Sequence, residues 1–409
     1  MKQLLKFLET SPTAYHAVEN AKLYLEYKGF LALDERKNWN LKEGGKYFVT
    51  RNGSSLIAFT FHKNGNFKIV ASHTDSPCFK LKESPEMMGA FTRLNVETYG
   101  GGLYYTFFDR PMRIAGRIVV EENGKLISKL YASEETFVIP SLAIHMNREA
   151  NKQFAPDPQT DLLPLYALGE AALKTEALAR DLFVVPAEKP FINGANNEFL
   201  SSPRLDNLTS VCASLEAIAN TTKGVCIAAL FDNEEIGSRT RQGAGSDFMK
   251  SVLKRITLLQ SRSEEEFMEA LSSSFMISLD NAHSVHPNRP EKCDPTNRAV
   301  MGGGIVVKAH ANGAYTSDAL TVAAVKKIFR DAGVKYQNFY NRSDMPSGST
   351  LGCISFTQIG IPSVDLGLAQ LAMHSAVETF AHADYEELKK GLSAFYQSNV
   401  SVLENAVEL

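Results

Sequence analysis

The chain has little of what marks several whole classes of protein. Five cysteines, Cys78, Cys212, Cys226, Cys293 and Cys353, are scattered over 409 residues, and no two form a C-x-x-C pair. A disulfide framework and a cysteine zinc site are therefore disfavoured, and a reducing compartment is expected. No apolar run is long enough to cross a bilayer. Charges interrupt the leucines of segment 1–10, which reads as an amphipathic helix and not a secretory signal. A cytoplasmic location is the resulting expectation. Neither sign of charge is in excess: 43 Lys and Arg face 46 Asp and Glu, for a formal net charge of −3. No nucleic acid and no membrane is expected as a partner. Three catalytic signatures are also missing. Without H-E-x-x-H a thermolysin-type zinc site is disfavoured, and without G-x-S-x-G so is a serine elbow. No Walker-type loop is present, and the glycine run 302–304 reads as a turn.

What is present is ordinary globular material, 44% hydrophobic and 22% charged, and the length favours two domains. Residues 1–30 read as helix broken at Ser11-Pro12, with β-patterns starting near Lys46 and a buried strand at 67–72. Between about 80 and 195 the texture is mainly β. It has a glycine turn at 100–102, a strand with a glycine bend at 113–121, an Asn123-Gly124 hairpin turn, a strand at 125–131 and one helix near 163–180. Its apolar strands could pair with another subunit. From about 198 the pattern alternates: helix 206–220, strand 225–231, a long helix 246–273, strand 275–279, helix 317–332 and a final helix 384–405. Such alternation predicts an α/β fold with a central, mostly parallel sheet flanked by helices.

Metal-type side chains follow the strand candidates. His73 and Asp75 follow the run ending at 72, Glu234 and Glu235 the run ending at 231, Asp280 the run ending at 279, and His374 the run 361–366. In an open α/β sheet, ligands bind beyond the carboxyl ends of the strands, so these residues are predicted at one edge. Asp206 opens a helix that can be placed there too. Two histidines and several carboxylates suit a pair of zinc-like ions. Such a pair needs a shared carboxylate to screen its repulsion, for which Asp206 is the candidate. Asp75 can accept a hydrogen bond from the free ring nitrogen of His73. Neighbouring side chains leave an extended chain in opposite directions. One of Glu234 and Glu235 is therefore expected to ligate a metal while the other abstracts a proton from metal-bound water. Each element has a bland reading alone: Asp206 as a helix N-cap, the glutamate pair as a solvated face, Lys308 as a surface lysine, His145 as a core histidine.

Together the motifs resemble the aspartyl aminopeptidase family of dinuclear metallopeptidases. They are His73-Thr-Asp-Ser-Pro77, Asp206-Asn207, Asp232-Asn-Glu-Glu-Ile-Gly-Ser238, Asp280-Asn-Ala-His-Ser-Val-His-Pro-Asn288, Ser347-Gly-Ser-Thr350 and Met373-His-Ser375. Phe108-Asp-Arg110, Ala115-Gly-Arg117 and Ile139-Pro-Ser-Leu-Ala-Ile-His145 resemble its dimerisation domain, and Ser11-Pro-Thr-Ala-Tyr-His16 its N-terminus. The resemblance implies a zinc-peptidase-type catalytic domain (1–79 and 198–409) with an inserted dimerisation domain (80–197). It implies an aminopeptidase with two divalent ions per subunit, zinc by preference with cobalt and manganese also suited. One ion would be held by His73, Asp206 and Asp280, the other by Asp206, Glu235 and His374, with Glu234 as general base and Asp75 assisting. His145 would reach a neighbouring subunit's site, while His283, Tyr315 and Lys308 would contact the peptide substrate, the lysine reading an acidic first residue. Homodimers building a homododecamer are implied. Val377, Arg289 and Cys293 depart from the family pattern beside the substrate pocket, leaving the preferred first residue open between acidic and neutral. Two other functions stay open: a dinuclear hydrolase of N-acyl amino acids, and a non-enzymatic scaffold.

Overall fold

Seven consecutive residues, Phe67–His73, are all buried, the signature of a strand covered on both faces. In the computed structural model, which describes residues 1–346, 348, 350, 352, 354 and 358–409, this strand lies mid-sheet. Ser347 and Ser349 of the motif at 347–350, and Cys353, lie outside the described residues. Across the sheet the order is Leu31–Leu33, Lys46–Arg51, Ser55–Thr60, Val225–Phe231, Phe67–His73, Phe275–Leu279, Ser363–Gly367, Ile305–Lys308 and Tyr336–Phe339. The four strands from Val225–Phe231 to Ser363–Gly367 run parallel. Ser55–Thr60 and Ile305–Lys308 flank them in antiparallel sense. All four parallel strands therefore end at one edge.

The period of two along these strands sorts their side chains onto two cores. Val70, Ala228, Ile277 and Val364 pack with helices Lys2–Thr10, Ala14–Tyr27, Leu205–Ala219, Ala319–Asp331 and His382–Gln397. Ile69, Ala71, Ile227, Ala229 and Met276 pack with helices Phe248–Leu259 and Glu264–Ser273. Each large apolar side chain buried this way contributes about 1.5–3 kcal/mol, which stiffens the edge where the strands end.

Residues 78–186 contribute a separate antiparallel sheet, ordered Lys125–Ala132, Met112–Glu122, Ala179–Pro186, Cys78–Met87, Phe91–Tyr99 and Leu165–Leu168. The outer strand Lys125–Ala132 is largely exposed.

Three expectations are corrected. The helix near 163–180 is not formed. Leu165–Leu168 pairs instead with Phe91–Arg93, and Gly169 (φ 74°) ends that strand. Leu173, in the irregular stretch that follows, is buried in the core of the antiparallel sheet. The long helix 246–273 is two helices, because Ser261 takes φ 62° and Ser263 starts a new helix in a capping box with Glu266. The last helix stops at Gln397, and Ser401–Val402 turns back to pair with Val407–Glu408.

Gly116 explains the glycine bend. Its φ is 153°, and a Cβ there would be driven into the Asp181 carbonyl oxygen and lie 3.0 Å from the Leu182 Cα. Gly116→Ala is predicted to destabilise the protein by about 1–3 kcal/mol and lower its thermal midpoint. An unchanged midpoint would contradict this packing.

Candidate metal centre

His73 is the last residue of its strand. Glu234 and Glu235 lie in the 3-10 turn Glu234–Ile236 that follows Val225–Phe231, entered through Asn233 at φ 65°. Asp280 directly follows Phe275–Leu279. His374, at φ 66°, follows the short strand Ala369–Leu371. Asp206 stands at the head of Leu205–Ala219, but it and Asn207 depart from helical backbone angles and their peptide bond is cis. Its side chain meets the strand ends, within 3.5 Å of His73 Nε2 and 3.4 Å of His374 Nε2.

There the spacing is specific. His73 Nε2 lies 3.5 Å from Asp206 Oδ1 and 3.6 Å from Asp280 Oδ1. His374 Nε2 lies 3.4 Å from both Asp206 Oδ2 and Glu235 Oε1. These separations are long for N–H···O hydrogen bonds. Two atoms bound to one tetrahedral zinc at about 2.0–2.2 Å stand about 3.3–3.6 Å apart, so the spacing suits a shared cation. Two observations agree. Asp206 Oδ1 and Glu235 Oε1 are buried without a hydrogen-bond partner, and ligand atoms of His73, Asp206 and Glu235 all fall within 4.8 Å of one another.

The imidazoles strengthen the argument. His374 Nδ1 is 2.9 Å from the Gly101 carbonyl oxygen, and His73 Nδ1 is 3.1 Å from that of Asp75. Assigning the Nδ1 proton to these carbonyls leaves each Nε2 as a lone pair facing carboxylates. A positive charge must stand between, either a metal or a proton. With protons alone, burial would lower both histidines, but Asp206 outweighs it, helped by Asp280 and Asp75 at His73 and by Glu235 at His374. His73 is raised well above its ordinary value and His374 to about 10. The same pairing holds Asp206 low despite its burial. Burial, with Asp280, Asp75 and Asp206 adding to it, pushes Glu234 up to about 8.

Asp75 organises one side. Its carboxylate accepts the backbone N–H of Glu234 on Oδ1 and that of Glu235 on Oδ2, both at 3.1 Å, and Oδ1 lies 3.3 Å from His73 Nδ1. The Tyr99 hydroxyl donates to Oδ2 at 2.8 Å and accepts from Asn233 Nδ2. Nothing in the sequence singled out Tyr99, which comes from the antiparallel sheet. Glu378 was missed as well. It lies only four residues beyond His374 but is a lone glutamate in no recognisable pattern. The glycine turn at 100–102 also meets the site, through Gly101 and through Gly100, where a Cβ would stand 3.0 Å from that of Glu235.

The remaining candidates are spread further. Lys308 is 1% exposed, not a surface lysine. Its Nζ donates to the carbonyls of Asp280 and Asn281 at 2.8 and 3.3 Å and lies 5.0 Å from the centre of the Tyr315 ring. His283 ends the short strand Ala282–His283 with its side chain exposed. His145 is exposed on the antiparallel-sheet segment and is not a core histidine; among the described residues no hydrogen bond or ion pair ties it to the other candidates. The glycines at 302–304 do form a turn, bound by Asp384, which accepts the N–H groups of Gly302 and Gly304.

A profile of the aminopeptidase I zinc metalloprotease (M18) family matches residues 7–178 and 171–396. A Clostridium acetobutylicum protein named "Probable M18 family aminopeptidase 2" is 42% identical, over 97% of this chain and 98% of the relative. The cryo-EM structure of the Ape4 and Nbr1 complex contains a chain of 33% identity that superposes with a TM-score of 0.92, over 96% of this chain and 84% of that one. The S. cerevisiae mApe1 dodecamer structure superposes with a TM-score of 0.84 at 26% identity, over 97% and 96% of the two chains.

The site's electrostatics make a prediction. Near neutral pH the raised pKa values keep protons on the two histidines and on Glu234, and a metal must displace protons where it binds. Zinc added to the metal-free chain in weak buffer is predicted to acidify the solution and raise the thermal midpoint. Binding without proton release would contradict the ligand set.

Proposed function

Because this chain belongs to the M18 zinc metalloprotease family of aminopeptidases, we propose that it removes the N-terminal residue of peptides at a pair of divalent ions in each subunit. The observation that carries the pair is the division of Asp206, one oxygen toward His73 and the other toward His374. His73, Asp206 and Asp280 would hold one ion, and Asp206, Glu235 and His374 the other. Zinc fits the nitrogen and oxygen donors, as do cobalt and manganese. When bound, the ions supply Lewis acidity, acidifying water and polarising a carbonyl.

The chain's own groups do the rest. Glu234 is half-buried, and the pKa that desolvation and the nearby charges of Asp280, Asp75 and Asp206 raise suits a group that takes and returns a proton near neutrality. It accepts the proton of the attacking water and delivers it to the departing amine. Asp75 keeps the Glu234 backbone and the His73 ring in place. His283 and Tyr315 contact the peptide substrate, and Lys308 reads its first residue. The preferred residue is acidic or neutral, since Lys308 favours the first and the substitutions at Val377, Arg289 and Cys293 open the second.

We assign residues 1–79 and 198–409 to a catalytic domain and 80–197 to an inserted dimerisation domain. Exposed apolar side chains on the insertion, among them Leu126, Leu142, Ile144 and Met146, and the open edge strand Lys125–Ala132 support homodimers. The likeness to the mApe1 dodecamer supports a homododecamer of such dimers, with His145 entering a neighbour's site. No described helix is long and apolar enough to cross a membrane, and a cytoplasmic location is part of the proposal.

Glu234→Gln tests the base. It should retain its metal while kcat falls about a hundred- to ten-thousand-fold; unchanged turnover would refute the assignment. A panel of amino-acid anilides and dipeptides should be cleaved only with a free N-terminus and only with metal. Turnover of N-acylated substrates instead would move the assignment to a deacylase.

A further inference from the structure

One buried carboxylate beside the candidate centre gives its two oxygens to the backbone N–H groups of two candidate ligands. Glu378 is 2% exposed. Its Oε2 accepts the backbone N–H of Asp206 at 2.9 Å, and its Oε1 accepts the backbone N–H of His374 at 2.7 Å. These two residues come from different parts of the chain, one heading a helix after residue 204 and the other in a loop after residue 371. The carboxylate spans both, with one oxygen for each.

The contact continues to the third loop. Gln370 Nε2 donates to Glu378 Oε1 at 3.4 Å, and Gln370 Oε1 accepts from Asn281 Nδ2 at 2.9 Å. Asn281 follows Asp280 directly. Its Nδ2 also donates to the Leu205 carbonyl at 3.1 Å, the residue before Asp206, and its Oδ1 accepts the N–H of Leu368 at 3.2 Å. Glu378, Gln370 and Asn281 are all buried, and a buried polar chain is held only where each member finds its partners.

Resting on the two-ion reading, we infer that Glu378 is a positioning residue that sets the separation of Asp206 and His374, with Gln370 and Asn281 extending this hold to Asp280. Its chemistry explains why a carboxylate is needed. Two backbone N–H groups approach it from two loops, and only a carboxylate offers an acceptor oxygen to each. A glutamine offers one oxygen and turns an NH₂ group against the other N–H. Asp75 does the same for Glu234 and Glu235 across the site. Two clamps of one kind thus bracket the centre.

The test measures zinc affinity and stoichiometry of the full chain, stripped of metal and titrated against a chromophoric chelator. Wild type should take up two equivalents. Glu378→Gln is expected to weaken zinc by about ten- to a hundred-fold, and Glu378→Ala by more, while both remain folded. Asp384→Asn is the matched control, because Asp384 is a buried carboxylate that likewise holds two backbone N–H groups, in a glycine turn away from the ligands. It should keep wild-type affinity even if its melting point falls. Wild-type uptake of fewer than two equivalents would refute the two-ion reading itself. Two equivalents in wild type, with unchanged affinities in both Glu378 variants, would overturn the clamp alone. Should both variants fail to fold, Gln370→Met decides, with severalfold weaker zinc expected and wild-type affinity overturning the inference.

Discussion

Asp206 lies between two histidines that come from separate strands, its oxygens 3.5 Å from His73 Nε2 and 3.4 Å from His374 Nε2. Around it the carboxyl groups of Glu234, Glu235 and Asp280 crowd into a largely buried setting, where the first two are held well above the ordinary carboxylate range. Carboxylates packed this closely repel one another, and burying them is costly unless positive charge enters among them. The two imidazoles cannot supply it as neutral ligands, since each already turns its Nδ1 to a backbone carbonyl. Protons can neutralise the cluster, as the raised histidine and glutamate pKa values indicate, but metal cations do so while keeping the carboxylates ionised. The centre is therefore a place where the chain has been assembled against its own electrostatics, with a cation as the compensating term.

The sheet makes that assembly possible. Four adjacent parallel strands end at one edge, where His73 closes its strand and the segments after the others carry Glu234 and Glu235, Asp280, and His374. Both faces of these strands are sealed by helices, so the strand ends cannot drift apart to relieve the repulsion. What remains adjustable is the loop backbone, and there Asp75 and Glu378 take up the N–H groups. The antiparallel sheet also reaches the centre, since Tyr99 hydrogen-bonds Asp75 and the Gly101 carbonyl orients His374. The two sheets are thus coupled at the site as well as along the chain.

How much of this could be read from the residues follows from range. The buried run before His73, the one before Glu234 and the one before Asp280 are local patterns, and the parallel-sheet rule then brings their ends together. Asp206 was readable as a residue at a helix start, although its departure from helical geometry was not. Glu378 and Tyr99 left no local trace. Each acts through a contact with a residue remote in sequence or on another sheet, and no periodicity encodes that. Segment 163–180 misled for the converse reason. Leu163 and Leu173 are both buried, yet the stretch between them is a short strand and an irregular strip lying on a sheet. The break at Ser261 was written in the sequence, in the Ser263 to Glu266 capping box, and was masked by the apolar residues on both sides.

The central claim is that Asp206 is shared between two ions. Anomalous scattering at the zinc edge from crystals of the zinc-loaded protein tests it most directly. The account predicts two peaks per subunit, about 3.5–4 Å apart, on either side of the Asp206 carboxylate, one beside His73 and one beside His374. A single peak in fully loaded crystals, or a pair that Asp206 does not bridge, would contradict it.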